Sequence, residues 1–228
     1  ERQHIKENNT NNNGDYTIYS NTQQGKNELH ILQNALFAMS DKVIASNPEL
    51  EQQMETALHT YSSKTEIVTN WNDWSKTIST TSPESLVLLV HIEKDEITEQ
   101  DQLEIGKGDF LLQNLFDQAK IKKDADAAPP FIILLGCEAT NIENYGFDVA
   151  NQLMHQGAAI VVSNFTKIRG RHAAPILIKL LEFLHANAGK EITLGEITLK
   201  LRQYFLAKGI IVSLALITLG DADWKLKT

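Results

Sequence analysis

Hydrophobic positions divide the chain from residue 41 onward into short apolar runs that alternate with longer amphipathic segments. Two runs, SLVLLVHI at 85–92 and FIILLGC at 131–137, are apolar at nearly every position. Strands with this pattern are typically covered on both faces, as in a parallel sheet. Less continuous apolar runs predict four further strands, at 41–47, 65–71, 158–164 and 210–220.

Helical spacing of apolar residues fills the intervals between these runs. The segment PELEQQMETALHTY begins with a proline and carries acidic residues in its first turn, as the N-terminus of a helix favours. Such segments predict helices at 48–61, 72–79, 107–120, 143–157, 173–187 and 193–209. Alternating strands and helices predict an α/β fold: a three-layer α/β/α sandwich around a mostly parallel six-stranded sheet. Two helices precede the last strand, which we therefore expect antiparallel at the sheet edge.

The first 40 residues have a different composition. Residues 1–25 are rich in Asn, Gln, Thr and Gly, so we expect a flexible polar linker or tail, with a short strand at YTIY. Leu29, Leu32, Leu36 and Met39 recur at helical spacing, which predicts a helix over 26–40, either a docking helix or the end of an upstream region. The remaining residues, 41–228, form the predicted main domain. Because the chain begins at Glu1, we also expect an upstream part.

Charge and composition exclude several classes of function. The net charge of −8 and pI near 5.4 argue against direct contact with nucleic acid or with an anionic membrane. One cysteine rules out an intrachain disulfide, so a reducing, cytoplasmic location is expected. Neither a phosphate-binding glycine-rich loop nor metal-ligand spacing occurs, so we predict no cofactor and no metal.

Candidate chemistry lies at the ends of the two strongest predicted strands. Cys137 ends one of them and His91 stands near the end of the other. The carboxyl ends of parallel strands form the functional edge of an open α/β sheet. If these strands are neighbours, an imidazole there could deprotonate the thiol for attack on a carbonyl, with backbone N–H groups holding the oxyanion. The alternative is that Cys137 is an ordinary buried cysteine.

Three stretches give the chain a family resemblance. LLGCEAT, GFDVANQLMHQGAAIVVSN and LITLGDADWKL occur in matching order and resemble the CHAT family of caspase-like cysteine peptidases, which is related to caspases and separase. The resemblance implies a caspase-type sandwich over 41–228. It also implies that Cys137 is the nucleophile, that His91 is the general base, and that the N–H groups of Cys137 and Ile92 form the oxyanion hole. The expected substrate is a protein partner, with regulation by an upstream domain or activating partner.

One position departs from the family pattern. The family has glycine directly after the catalytic histidine, whereas Ile92 follows His91 here. If His91 instead corresponds to an earlier histidine of the family's strand, the catalytic position falls at Lys94 or Asp95 and the dyad is lost. A catalytically degenerate domain that acts as a protein-interaction module is therefore the second hypothesis. A small-molecule or nucleotide-binding α/β domain is the third.

Overall fold

The computed structural model describes most of the chain. The described residues are 28–30, 32–44, 48–97, 99, 101–112, 119–136, 149–165, 168, 170–221 and 223–227. Cys137, the predicted tail at 1–25 and the first part of the helix predicted at 143–157 lie outside them.

Ten strands, numbered in chain order, occur in the described part of the chain. They are β1 (Glu28–His30), β2 (Asn34–Met39), β3 (Lys64–Val68), β4 (Ser85–Lys94), β5 (Asp101–Ile105), β6 (Asp109–Leu112), β7 (Phe131–Gly136), β8 (Ile160–Asn164), β9 (Leu216–Gly220) and β10 (Lys225–Lys227). The α-helices are α1 (Asp41–Ile44), α2 (Pro48–Tyr61), α3 (Trp71–Thr81), α4 (Val149–His155), α5 (Gly170–Asn187) and α6 (Leu194–Ala207). A 3-10 helix, Ile211–Ala215, precedes β9.

The main sheet follows the order β3-β2-β4-β7-β8-β9. The first five strands of this path are mutually parallel, and β9 pairs antiparallel with β8 at the edge. This confirms the predicted six-strand, mostly parallel arrangement and its antiparallel edge. The hairpin of β5 and β6 extends the sheet to eight strands by pairing with the end of β4, while β1 and β10 form a separate two-stranded sheet.

Helices cover both faces of the sheet because the central strands are apolar on both sides. Every residue of β7 is buried, and so are the first six residues of β4. On one face, Val87 and Leu89 pack in the core formed with α2, α5 and α6. On the other, Leu86, Leu88 and Val90 pack with α3 and α4. The result is the predicted three-layer α/β/α sandwich.

Local signals account for several helix ends. Asn70 caps α3 by accepting a hydrogen bond from the Asp73 N–H at 2.8 Å. Thr193 and Glu196 form a reciprocal capping box at the start of α6. The predicted helix that stops near Gly157 is confirmed over its described part, since α4 ends at His155 and Gly157 follows with φ +96°.

Three predicted elements are wrong, and the first half of the strand predicted at 210–220 is instead the 3-10 helix Ile211–Ala215. Residues 34–39 form β2 rather than a helix, because this segment is hydrogen-bonded between β3 and β4. Residues 41–44 are the short helix α1 rather than a strand. Residues 109–112, predicted as part of a helix, form β6 and pair with β5. In the described part of the chain, no helix is long and apolar enough to cross a membrane.

Candidate functional site

The two strands that carry the predicted dyad are adjacent and parallel. Their register runs from Ser85 opposite Phe131 to Val90 opposite Gly136. Gly136 is the last described residue before Cys137, which itself lies outside the described residues. The adjacency of β4 and β7 is therefore established, whereas the pairing of His91 with Cys137 remains a prediction.

Gly136 is enclosed by both neighbouring strands. A Cβ atom at this position would lie 2.5 Å from the carbonyl oxygen of Val90 and 3.0 Å from its Cγ2. From the other side, Asn164 of β8 accepts a hydrogen bond from the Gly136 N–H at 3.1 Å. Its Nδ2 donates to the Gly136 carbonyl at 2.7 Å. Asn164 is fully buried, so these bonds lie inside the sheet.

His91 lies within β4 rather than at its end, which corrects the predicted position. The strand continues to Lys94 because its last four residues pair antiparallel with β5, His91 lying opposite Glu104. The His91 side chain is about one quarter exposed, at 26%. Its Nε2 lies 3.0 Å from Oε2 of Glu93. Residues two apart on a strand share a face, so the sequence H-x-E on β4 makes this contact possible.

A chain of charges continues from His91 to helix α1. Lys42 Nζ lies 2.9 Å from the Glu93 carboxylate and 3.2 Å from Oε2 of Glu104. Glu104 is buried and accepts a hydrogen bond from the Gly108 N–H at 2.9 Å. Lys42 also lies over the Phe110 ring, 5.1 Å from its centroid. The buried charge of Glu104 is thus paired, as burial of a carboxylate requires.

This network perturbs the ionisation of two of its members. The hydrogen bond from Lys42, followed by the one from His91, lowers the pKa of Glu93 against the opposing effect of burial. The hydrogen bond to Glu93 raises the pKa of Lys42, and Glu104 adds to the shift. Glu93 therefore remains a carboxylate at neutral pH, and it can orient the imidazole beside it.

Ile92 has its side chain on the opposite face of β4 from His91, packed against the α3 and α4 core. The backbone N–H and C=O groups of successive residues in a strand point alternately to its two neighbouring strands. The Leu89 carbonyl accepts a hydrogen bond from the Ser40 N–H, so the groups of Leu89 point to the β2 side. Three residues later, the Ile92 N–H accordingly points to the β7 side. Asp95 follows the end of β4 and accepts a hydrogen bond from the Ile97 N–H at 3.2 Å.

Sequence reasoning missed Lys42, Glu93, Glu104 and Asn164. Glu93 had a signal in its two-residue spacing from His91, and Asn164 in its position at the end of an apolar run. Lys42 and Glu104 had none, because 62 positions separate them along the chain. No group of three or more His, Cys, Asp or Glu that could hold a metal occurs among the described residues.

The architecture is similar to that of separase in two crystal structures of the Saccharomyces cerevisiae separase–securin complex. The TM-scores are 0.55 and 0.56, with 13% and 12% sequence identity respectively. The fold is caspase-like. Each comparison covers 88% of this chain but only 12% of the separase chain, so the likeness concerns a small part of that protein. No family model matches the sequence, and no curated protein matches it.

Proposed function

We propose that this chain contains a cysteine endopeptidase domain of the caspase-like clan, of CHAT type, that cleaves a protein partner. The observation that carries the proposal is the parallel pairing of β4 with β7, the strands that bear His91 and precede Cys137. The caspase-like fold supports it independently. His91 is the proposed general base and Cys137 the proposed nucleophile.

The described register supports this assignment of roles. Extending it by one residue beyond Val90 and Gly136 would set Cys137 opposite His91. Neighbouring strands lie about 4.8 Å apart, so the two side chains would be within reach of each other. Leu89 and Leu135, two positions earlier in each strand, both face the same core, so the alternation would bring His91 and Cys137 to one face.

The chemistry follows from these roles. His91 accepts the thiol proton, and the thiolate attacks the carbonyl carbon of the scissile peptide. The imidazolium then donates the proton to the leaving amine as the C–N bond breaks, leaving a thioester on Cys137. Water, deprotonated by His91, hydrolyses the thioester and restores the thiol. Glu93 holds Nε2 of the imidazole, so Nδ1 is the nitrogen that serves the thiol in this mechanism.

The proposed oxyanion hole uses the backbone N–H groups of Ile92 and Cys137. The N–H of Ile92 points to the β7 side of β4, which is the side where an oxyanion would form above the end of β7. An isoleucine supplies this N–H as glycine does, although its side chain restricts the backbone angles available. Its side chain is accommodated because it packs on the opposite face of the sheet from the proposed dyad.

Peptide cleavage tests the proposal directly. The purified chain is incubated with a proteome-derived peptide library, and new amino termini are identified by mass spectrometry. We expect recurrent cleavage after a restricted set of residues, abolished in Cys137→Ala and reduced at least about a hundredfold in His91→Ala, the usual contribution of a general base. Cleavage that persists in Cys137→Ala would contradict the assignment.

A second function, a catalytically degenerate protein-interaction module, is favoured by the surroundings of His91. His91 lies mid-strand with its Nε2 engaged by Glu93, and Ile92 replaces the family's glycine. In this case no peptide is cleaved by the parent chain or by either variant, and Cys137→Ala leaves partner capture unchanged.

Regulation by another protein is part of the proposal. The separase structures that share this fold are complexes with securin, a separate protein. We infer that the present domain is likewise controlled by a protein partner or by an upstream domain. Such a partner would change the cleavage rate measured in the library assay, and it would leave the Cys137→Ala variant inactive.

A further inference from the structure

The Asn164 side chain continues the pairing of β8 with β7 beyond the end of their backbone ladder. The pairing of β7 with β8 extends from Phe131 opposite Ile160 to Ile133 opposite Val162. Beyond this point, the Asn164 side chain contacts β7. Its amide supplies one acceptor and one donor to the same residue, in the manner of a strand backbone.

We propose that Asn164 is a positioning residue for Cys137, which it holds in place through the Gly136 peptide. This inference rests on the proposed function of Cys137 as a nucleophile. The Gly136 carbonyl belongs to the peptide group that joins Gly136 to Cys137, and Asn164 Nδ2 donates to that oxygen at 2.7 Å. The hydrogen bond therefore restrains the plane of the peptide group that connects Gly136 to Cys137.

The restraint acts on the last peptide group of β7. A trans peptide is planar, so fixing the Gly136 carbonyl fixes the orientation of the whole group that joins Gly136 to the next residue. Val90 approaches Gly136 from the β4 side, and Asn164 holds this group from the opposite, β8 side.

The opposite side of Gly136 leaves little room for adjustment. The Val90 carbonyl approaches so closely that a Cβ could not be placed, at 2.5 Å. Gly136 is thus confined between Val90 and Asn164, both of which are fully buried. Hydrogen bonds made away from water are strong and leave costly unpaired groups when removed. Loss of the Asn164 amide would therefore free the peptide that Asn164 restrains.

The test is the pH dependence of alkylation by iodoacetamide. The sequence contains a single cysteine, so all of the label reports on Cys137. A free thiol ionises near pH 8.5, whereas a thiol activated by a neighbouring imidazole reacts at lower pH. We expect the alkylation rate of the parent chain to rise with pH around a midpoint well below about pH 8.5. In Asn164→Ala the midpoint should move to about that value, and the rate at pH 6.5 should fall about tenfold or more.

Control variants separate positioning from stability. Val162→Ala removes buried packing from the same strand, two residues earlier, at a position that lies opposite Ile133 rather than Gly136. It should retain the midpoint of the parent chain. If Asn164→Ala does not fold, Asn164→Ser replaces it in the assay. This variant can restore at most one of the two hydrogen bonds, so it should shift the midpoint in the same direction. Folding of each variant is checked by circular dichroism.

The outcomes distinguish this inference from the proposed function. If His91→Ala raises the midpoint but folded Asn164 variants keep the parent midpoint, the positioning role is wrong and the dyad stands. If Val162→Ala shifts the midpoint as far as Asn164→Ala does, the effect is general loosening and the positioning role is again wrong. If the parent chain and His91→Ala both react with a midpoint of about 8.5, the proposed nucleophile and its positioning residue fail together.

Discussion

Replacing Gly136 by alanine tests the close approach of β7 to β4 beside the candidate site. Two effects of opposite sign act on this substitution. Alanine restricts the unfolded chain more than glycine does, which stabilises the fold by about 0.4–1 kcal/mol where the backbone angles suit it. The added methyl group, however, would lie 2.5 Å from the Val90 carbonyl oxygen and 3.0 Å from Val90 Cγ2.

The steric effect should dominate. Carbon and carbonyl oxygen ordinarily approach to about 3.3 Å in sheets, so the strands would have to separate locally by roughly 0.8 Å. The obstructing atom is backbone oxygen in a central strand and cannot rotate away. Overpacking of this kind costs about 1–3 kcal/mol, and we take the upper half of that range. After subtraction of the entropic gain, we expect a net loss of about 1–2.6 kcal/mol.

Urea unfolding followed by circular dichroism measures this loss. With a slope of about 2 kcal/mol per molar, the midpoint should fall by roughly 0.5–1.3 M in Gly136→Ala. Gly209→Ala is the control: no heavy atom lies within 4 Å of the added Cβ, but φ is +74°. Its cost is conformational only, about 1–2 kcal/mol for an alanine in the left-handed region. A Gly136→Ala midpoint equal to or above that of the parent chain would refute the steric argument.

Two further predictions concern the charge network around His91. Lys42→Met should destabilise the fold by about 1–3 kcal/mol, since it leaves the buried Glu104 carboxylate without its cation. Lys64→Met, which removes an exposed pair with Glu66, should change stability by less than about 0.5 kcal/mol in the same urea experiment. Glu93→Gln should lower stability at neutral pH by less than about 1 kcal/mol, because the side chain is partly exposed. The native pKa of Glu93 is depressed, so its contribution exists above the ordinary value of 4.5 and is lost as the pH falls below it; thermal melts that show a constant difference down to pH 3 would contradict this.

The pattern of the sequence alone determined the layered architecture. β4 and β7 are apolar at nearly every position, and only a strand covered on both faces buries such a run completely. Most helices were also predictable, because apolar residues at helical spacing need a single buried face. The antiparallel edge followed from two helices in succession before β9, which confirms an expectation based on connectivity.

Strand pairing in the folded chain overrode the local sequence pattern in the segments whose secondary structure was predicted wrongly. Leu36 and Met39 fit a helical repeat, yet the neighbouring Ala35, Phe37 and Ala38 are also buried. A helix would leave part of this segment facing water, whereas a central strand buries both of its faces. The predicted helix at 107–120 likewise gave way over 109–112, where β6 pairs with β5 and completes a hairpin on the extended end of β4.

The surroundings of the candidate site were decided by tertiary structure. The sequence identified the two strands and the residues near their ends, because strand ends in an α/β sheet are where chemistry is expected. It did not show that β5 prolongs β4 past His91, or that Lys42 bridges two carboxylates from distant segments. Nor did it show that Asn164 bonds both backbone groups of Gly136, 28 residues away. Contacts of this kind depend on strand order and register, which arise only when the whole sheet is assembled.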